Sequence, residues 1–147
     1  MNLLETPVLV DGELELHLVE HSPADPARNW VPAYRFEMRV AGQRVGTISL
    51  RVGDTAYIRR YAGHIGYGVD PEHRGHHYAA RATRMLFPLA RKHGMTTLWI
   101  TCNPENVASR RTCERVGGEL VDIVDVPPEI DLFREGDRQK CRYRIRL

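Results

Sequence analysis

No stretch of the 147-residue chain approaches the ~20 consecutive apolar residues that a membrane-spanning helix needs. The opening MNLLETPVLVDGELE carries acids and no basic run, so neither a membrane protein nor a secretory leader is expected, and a cytoplasmic protein is the default. Cysteine is scarce. Cys102, Cys113 and Cys141 are an odd set without C-x-x-C spacing, which argues against a disulfide framework and a structural zinc site. His73, His76 and His77 share one loop, but no acid or cysteine stands at a recognised ligand spacing, so no metal is expected. Lysine is nearly absent, with Lys92 and Lys140 alone, and the net charge is only +2. The clusters Arg59-Arg60, Arg110-Arg111 and Arg142/Arg144/Arg146 read first as solvated faces, and second as attraction for an anionic ligand such as a nucleotide cofactor. A broad basic stripe interleaved with aromatics is missing, so nucleic-acid binding is not expected. The glycine-rich lysine loop of nucleotide hydrolases and any internal repeat are missing too.

What is present suits one globular domain over residues 1–147, with 42% apolar and 27% charged residues. Val8–Val10 and Leu14–Val19 flank Asp11-Gly12, and Tyr34–Val40 and Arg44–Val52 flank Ala41-Gly42-Gln43; each pattern predicts a hairpin. The segment 21–32 holds three prolines and Trp30 and reads as loop or a short helical turn. Gly63–Val69 is a strand, and Tyr78–His93 a helix bent, not broken, by Pro88. Thr96–Cys102 is a buried strand. A second helix starts at Asn103-Pro104, with Asn103 as cap, and ends near Val116. Glu119–Val126 and Lys140–Leu147 are strands around a polar loop, 127–139. Strand–helix–strand in the middle implies a parallel pair among antiparallel hairpins. The expected class is therefore α/β, in detail an α+β fold with one central mixed sheet of about six to seven strands and helices on both faces. The alternation of the last strand leaves it as a free edge, where a homodimer pairs in one reading.

The chain is organised around Gly63–Ala80, GHIGYGVDPEHRGHHYAA. Ile65, Tyr67 and Val69 alternate with small residues, Asp70-Pro71 stops the strand, and a polar turn enters a helix near Tyr78. A helix start offers unpaired N–H groups and partial positive charge, a natural seat for phosphate, and Arg74 adds a fixed cation. This loop resembles the acyl-CoA pyrophosphate loop of the GNAT N-acetyltransferases, V-x-P-x-x-[RQ]-[GR]-x-G-x-[GA]. Val69, Pro71, Arg74, Gly75 and Ala79 match it, and His77 stands where the family has its central glycine. Asn106–Gly118, NVASRRTCERVGG, is similar to a second motif of the family, N-x-x-[AS]-x-x-x-Y-E-[KR]-x-G-[FG], through Asn106, Ser109, Glu114, Arg115 and Gly117. The GHIGY stretch and the Gly117-Gly118 ending look most like a bacterial acetyltransferase subgroup other than the aminoglycoside or ribosomal-protein enzymes.

The resemblance implies an acetyl-CoA site. The backbone of Tyr67, Gly68 and Val69 would meet the pantetheine arm, and the N–H groups of Gly75, His76, His77, Tyr78, Ala79 and Ala80, with Arg74, would meet the pyrophosphate. Asn106 and Ser109 would contact the cofactor arm where the two central strands splay, and a backbone N–H near Val69 would polarise the thioester. It also implies acetyl transfer to a primary amine of a small molecule or peptide by direct attack. Two usual groups are missing: the family's tyrosine acid is replaced by Cys113 and its glutamate base by Thr101. His64 titrates in the range of a base and, by alternation with Gly66 and Gly68, falls on an open face; its other reading is a hydrogen-bonded strand histidine. Cys113 is the candidate acid, against plain packing. Trp30 and the loop 127–139, with Glu129, Asp131 and Glu135, are expected to wall the acceptor site together with the N-terminal hairpin. The alternatives are a non-catalytic acyl-CoA-binding module and, further off, a nucleotide-binding domain of another class.

Overall fold

The structure is a computed structural model described for residues 3–147. Its first sheet has five antiparallel strands in sequence order: β1 (Leu9–Asp11), β2 (Leu14–Ser22), β3 (Ala33–Val40), β4 (Gln43–Arg51) and β5 (Ile65–Val69). Turn chemistry sets the first registers. Gly12 takes a positive φ of 60° between β1 and β2, and Ala41 and Gly42, at 51° and 77°, close the β3–β4 hairpin. Leu14 and Leu16 from β2, Tyr34, Phe36 and Met38 from β3, Ile48 and Leu50 from β4 and Ile65 from β5 form one buried face. Alternation with polar neighbours sends these side chains to the same side. The segment 21–32 is mostly loop, with a short 3-10 turn at Pro26–Arg28.

Against that face lie α1 (Tyr78–Met85) and α2 (Phe87–Lys92), through Tyr78, Ala82, Leu86 and Ala90. The expected single bent helix is two helices, broken at Leu86. Pro88 has no N–H to offer the Arg84 carbonyl and its ring crowds that carbonyl. The chain answers with a tighter bond, Leu86 N–H to Thr83 O at 3.1 Å, and restarts.

The second sheet has the order β6-β8-β7, from β6 (Thr97–Cys102), β7 (Glu119–Asp125) and β8 (Gln139–Arg146). Two antiparallel sheets of five and three strands thus take the place of one continuous mixed sheet. The parallel ladder expected between β5 and β6 does not form: the two meet through His64, just before β5, and Trp99 in β6. His64 N–H donates to the Trp99 carbonyl at 2.6 Å, and Trp99 N–H is taken by His64 Nδ1 at 2.9 Å, a side chain where a ladder needs backbone. Beyond that point the strands diverge.

The last strand, expected at an edge, lies in the middle of its sheet; the edges are β6 and β7, and β7 carries the exposed Leu120, Val121 and Ile123. Helix α3 (Val107–Arg115) packs Cys113 into the core from the same side as α1. Its cap is Asn106, whose side-chain oxygen accepts from Ser109 N–H at 3.1 Å, and not Asn103. Asn103 is occupied elsewhere: its side chain binds Asp137 and Lys140, holding the loop after β7. The opposite face is covered by a π-helical turn, Ile58–Ala62, and by the short α4 (Asp131–Arg134) within the expected loop. Among the described residues no helix is long and apolar enough to cross a membrane.

Candidate active site

The divergence of β5 from β6 opens a cleft, and register decides what lines it. Arg51 N–H bonds the His64 carbonyl and Asp70 N–H bonds the Val45 carbonyl. With this register, Gly66 and Gly68 point their backbone groups at β4. Ile65, Tyr67 and Val69 therefore turn their N–H and C=O toward the cleft, without a β6 ladder to receive them. Gly68, expected to bind with Tyr67 and Val69, contributes only its lack of a side chain.

The phosphate loop follows directly. Gly75 has φ 96° and His77 φ 59°. The left-handed conformation that explains a glycine at this place is thus kept by a histidine, one of the residue types that tolerate it. His77 makes no side-chain cap bond at the start of α1. Among the described residues, no protein acceptor binds the backbone N–H groups of Gly75, His76 and His77. Arg74 is exposed and folds back through Nε onto the Val69 carbonyl at 3.1 Å, leaving the rest of its fork outward. His76 stacks on the buried Tyr78, at 5.1 Å. Tyr78 and Ala80 are buried and offer the site only their backbone. This row of free donors at a helix start, open to solvent, fits a pyrophosphate. Among the described residues His73, His76 and His77 form no metal-ligating group.

Deeper in the cleft is a cavity of about 250 Å³. Tyr67, Cys102, Asn106, Ser109, Arg51 and Thr101 are among the residues that line it. The Tyr67 hydroxyl binds Ser109 Oγ at 2.8 Å and lies 3.8 Å from Cys113 Sγ. A hydroxyl from β5 therefore stands beside the α3 position where the family's tyrosine is missing. Burial pushes the Tyr67 hydroxyl up from its ordinary value, so it remains a donor at neutral pH. Cys113, the expected acid, is fully buried and does not line the cavity. Its hydrogen bond with Cys102, and then burial, push its thiol far up.

His64 departs further from its expected role. It is 2% exposed, not on an open face. Nδ1 accepts from Trp99 N–H, so Nε2 carries the proton and donates to the Gly53 carbonyl at 2.8 Å. Both nitrogens are used, and burial lowers the pKa below its ordinary value. The ring is a bridge between two sheets and offers no lone pair to an amine. Thr101, in the usual place of the glutamate, donates to the Tyr61 carbonyl at 2.7 Å and holds the π-helical turn.

A second cavity, of about 260 Å³, adjoins the first through Arg51, Ala62 and Leu132. Trp30, Tyr57, Asp131 and Glu135 wall it, so Trp30 and the loop after β7 do come together. The N-terminal hairpin does not join them. Its turn is held at α1, where Arg81 binds Asp11 at 2.9 Å and Glu13 at 2.6 Å. Glu129 is not in the wall either. Tyr57 donates to Asp131 Oδ1 at 2.6 Å, which fastens α4 to the π-helical turn. Sequence reasoning missed Arg51, Tyr57 and the hydroxyl of Tyr67. The single signal available was an arginine at the end of β4, alternating with the buried Ile48 and Leu50 on the same side as Thr47 and Ser49.

A family model described as an acetyltransferase (GNAT) domain matches residues 15–119, most of the chain and every element that builds the cleft except β8 and its preceding loop. The chain belongs to the GNAT acetyltransferases. Among curated proteins none matches in sequence. Solved structures share the fold. RimL, a ribosomal L7/L12 α-N-protein acetyltransferase solved with coenzyme A, is similar with a TM-score of 0.70 and 15% identity, over 96% of this chain and 98% of that one. The ribosomal-protein-S5-alanine acetyltransferase of Vibrio fischeri has a TM-score of 0.69 and 12% identity, over 96% and 97%. The microcin C7 self-immunity acetyltransferase MccE, solved with acetyl-CoA and AMP, has a TM-score of 0.62 and 19% identity over 78% of this chain. The present GNAT chain spans 61% of that protein's length.

Proposed function

We propose that this GNAT protein transfers an acetyl group from acetyl-CoA to a primary amine of a small molecule or peptide by direct attack. The observation that carries the reading is the cleft. Unladdered backbone of Tyr67 and Val69, free loop N–H groups at Gly75–His77 and the Tyr67–Ser109 pair follow one another along a single path. Acetyl-CoA, when bound, supplies an activated thioester. Arg74 and the loop N–H groups hold the diphosphate, the cleft edge of β5 holds the arm as a strand would, and Asn106 and Ser109 border it. A backbone N–H of β5 donates to the carbonyl oxygen as negative charge grows on it. Asp131 and Glu135 draw a cationic amine to the second cavity, from which it reaches the thioester on the side of Gly66. The amine attacks in its neutral form, after losing its ammonium proton to solvent. As the C–N bond forms and the C–S bond breaks, the Tyr67 hydroxyl protonates the sulfur, the acid role expected above of Cys113. The proton that the acylated nitrogen sheds returns to the Tyr67 phenolate through solvent.

The test is thermal melting with acetyl-CoA, CoA and ADP in parallel, followed by a thiol-release screen over amines. A ligand bound only by the native state raises the midpoint by mass action. A larger shift with acetyl-CoA and CoA than with ADP is expected; no shift at saturating acetyl-CoA overturns the enzyme reading. Tyr67→Phe is expected to lower kcat by about 100-fold, within the range of a lost general acid, with acetyl-CoA binding retained. An unchanged kcat removes the hydroxyl from the acid role. The tying of Thr101 to the Tyr61 carbonyl favours, as a second reading, a module that binds acyl-CoA without turnover. That reading predicts the melting shift and no thiol release on any amine.

A further inference from the structure

We infer that Arg51 anchors a carboxylate on the acceptor, so that the acceptor is an amino-acid-like compound carrying both an amine and a carboxylate. The amine half rests on the acetyltransferase reading; the anion site stands on its own observations.

Arg51 ends β4 and points away from the core face that holds Leu50. Its guanidinium lies across Gly66, where an added Cβ would sit 3.5 Å from Nη1 and 3.6 Å from Nη2. A Cβ there would be in ordinary contact with the guanidinium, so the two groups lie side by side. A guanidinium has five N–H donors in a planar fork. Here the protein engages only Nη1, with the carbonyls of Ala62 at 3.4 Å and Gly63 at 3.2 Å. Among the described residues no carboxylate pairs with Arg51, and burial pulls its pKa down. Of the acids nearby, Asp54 pairs with Arg59, Asp131 accepts through Oδ1 from Tyr57 and from Leu132 N–H, and Glu135 shares the wall of the second cavity with Arg51 without pairing with it. A partly buried cation without a counter-ion is costly to keep, yet this one forms part of the wall of both cavities. The remaining fork matches a carboxylate in geometry and charge. The second cavity is lined as well by Asp131 and Glu135, whose carboxylates suit an ammonium, and by Trp30 and Tyr57, which supply aromatic surface. A zwitterionic amine satisfies both.

The experiment uses the full chain and matched pairs of ligands, α-amino acids and their α-amides, in two readouts: calorimetric binding and thiol release with acetyl-CoA. At least one acid is expected to bind or react tenfold or more better than its amide. Arg51→Gln abolishes the difference while still showing the acetyl-CoA melting shift, which also certifies its fold; Arg51→Lys keeps part of the preference. Equal use of both members of every pair by the wild-type protein overturns the inference, as does a preference that survives in Arg51→Gln. If acetyl-CoA gives no shift while carboxylates still bind in an Arg51-dependent way, the acetyltransferase reading falls and the anion site stands.

Discussion

Replacing His64 by leucine nearly keeps the volume but removes both hydrogen bonds of the ring, one to Gly53 just after β4 and one to Trp99 in β6. The Gly53 carbonyl and the Trp99 N–H, each facing the buried ring, then lose their partner. An unsatisfied buried polar group costs about 1–3 kcal/mol, so the pair amounts to about 2–6 kcal/mol. That is a large share of the ~5–15 kcal/mol that holds a domain folded. Urea unfolding of both proteins at pH 7.5 measures the gap. Its pH dependence supplies a stricter check. The folded pKa of His64 lies below its ordinary 6.5, so the unfolded chain binds the proton first. Wild-type stability from this group is complete above 6.5 and falls as the pH drops below it, levelling once the folded ring protonates. The leucine variant has no such group, and the gap narrows on acidification while all other titrations cancel. A gap below about 0.5 kcal/mol at pH 7.5, the usual bound for an uncritical surface change, refutes the bridging role. A gap independent of pH refutes the assigned ring state.

The neighbouring Gly63 is the second test: φ is 75°, and a Cβ there meets the Trp99 carbonyl at 3.0 Å and Thr101 N at 3.1 Å. Gly63→Ala is expected to cost about 1–3 kcal/mol from backbone strain alone, read as a lower urea midpoint; an unchanged midpoint contradicts the close approach of the two sheets. At the other end of the fold, Arg81 holds the exposed Glu13 carboxyl at about 2, against 4.5. The folded pKa is depressed, so this contribution is complete above pH 4.5 and is lost as the pH falls through about 2. Arg81→Ala is expected to lower the melting midpoint at pH 7, by less in high salt, and to match the wild type near pH 2. A difference that persists there would mean that packing, not charge, carries the effect.

Local rules accounted for much of the fold. Alternation in β2, β3, β4 and β8 located strands, Asp11-Gly12 and Ala41-Gly42 located turns, and the Val69–Ala80 spacing located the phosphate loop, because each depends on residues close in sequence. Partnership between distant segments was not legible. Alternation says that one face of a strand is buried, not which strand lies beside it. Lys140–Leu147 therefore read as an edge although β6 and β7 both pair with it. Asn103 and Asn106 are equally good caps on paper; Asp137 and Lys140, brought up by the loop after β7, decide between them. His64 read equally as a base or as a hydrogen-bonded strand histidine, and the choice rests on Gly53 and Trp99, far apart in the chain, which take its two nitrogens. The hydroxyl of Tyr67 reached the place vacated at Cys113 only through the packing of β5 on α3. Sequence determined the elements and the loop, since dihedral preference and burial period are local. Tertiary structure decided which polar atoms are already satisfied and which still face the cleft, since hydrogen-bond partners are set by contacts across the whole chain.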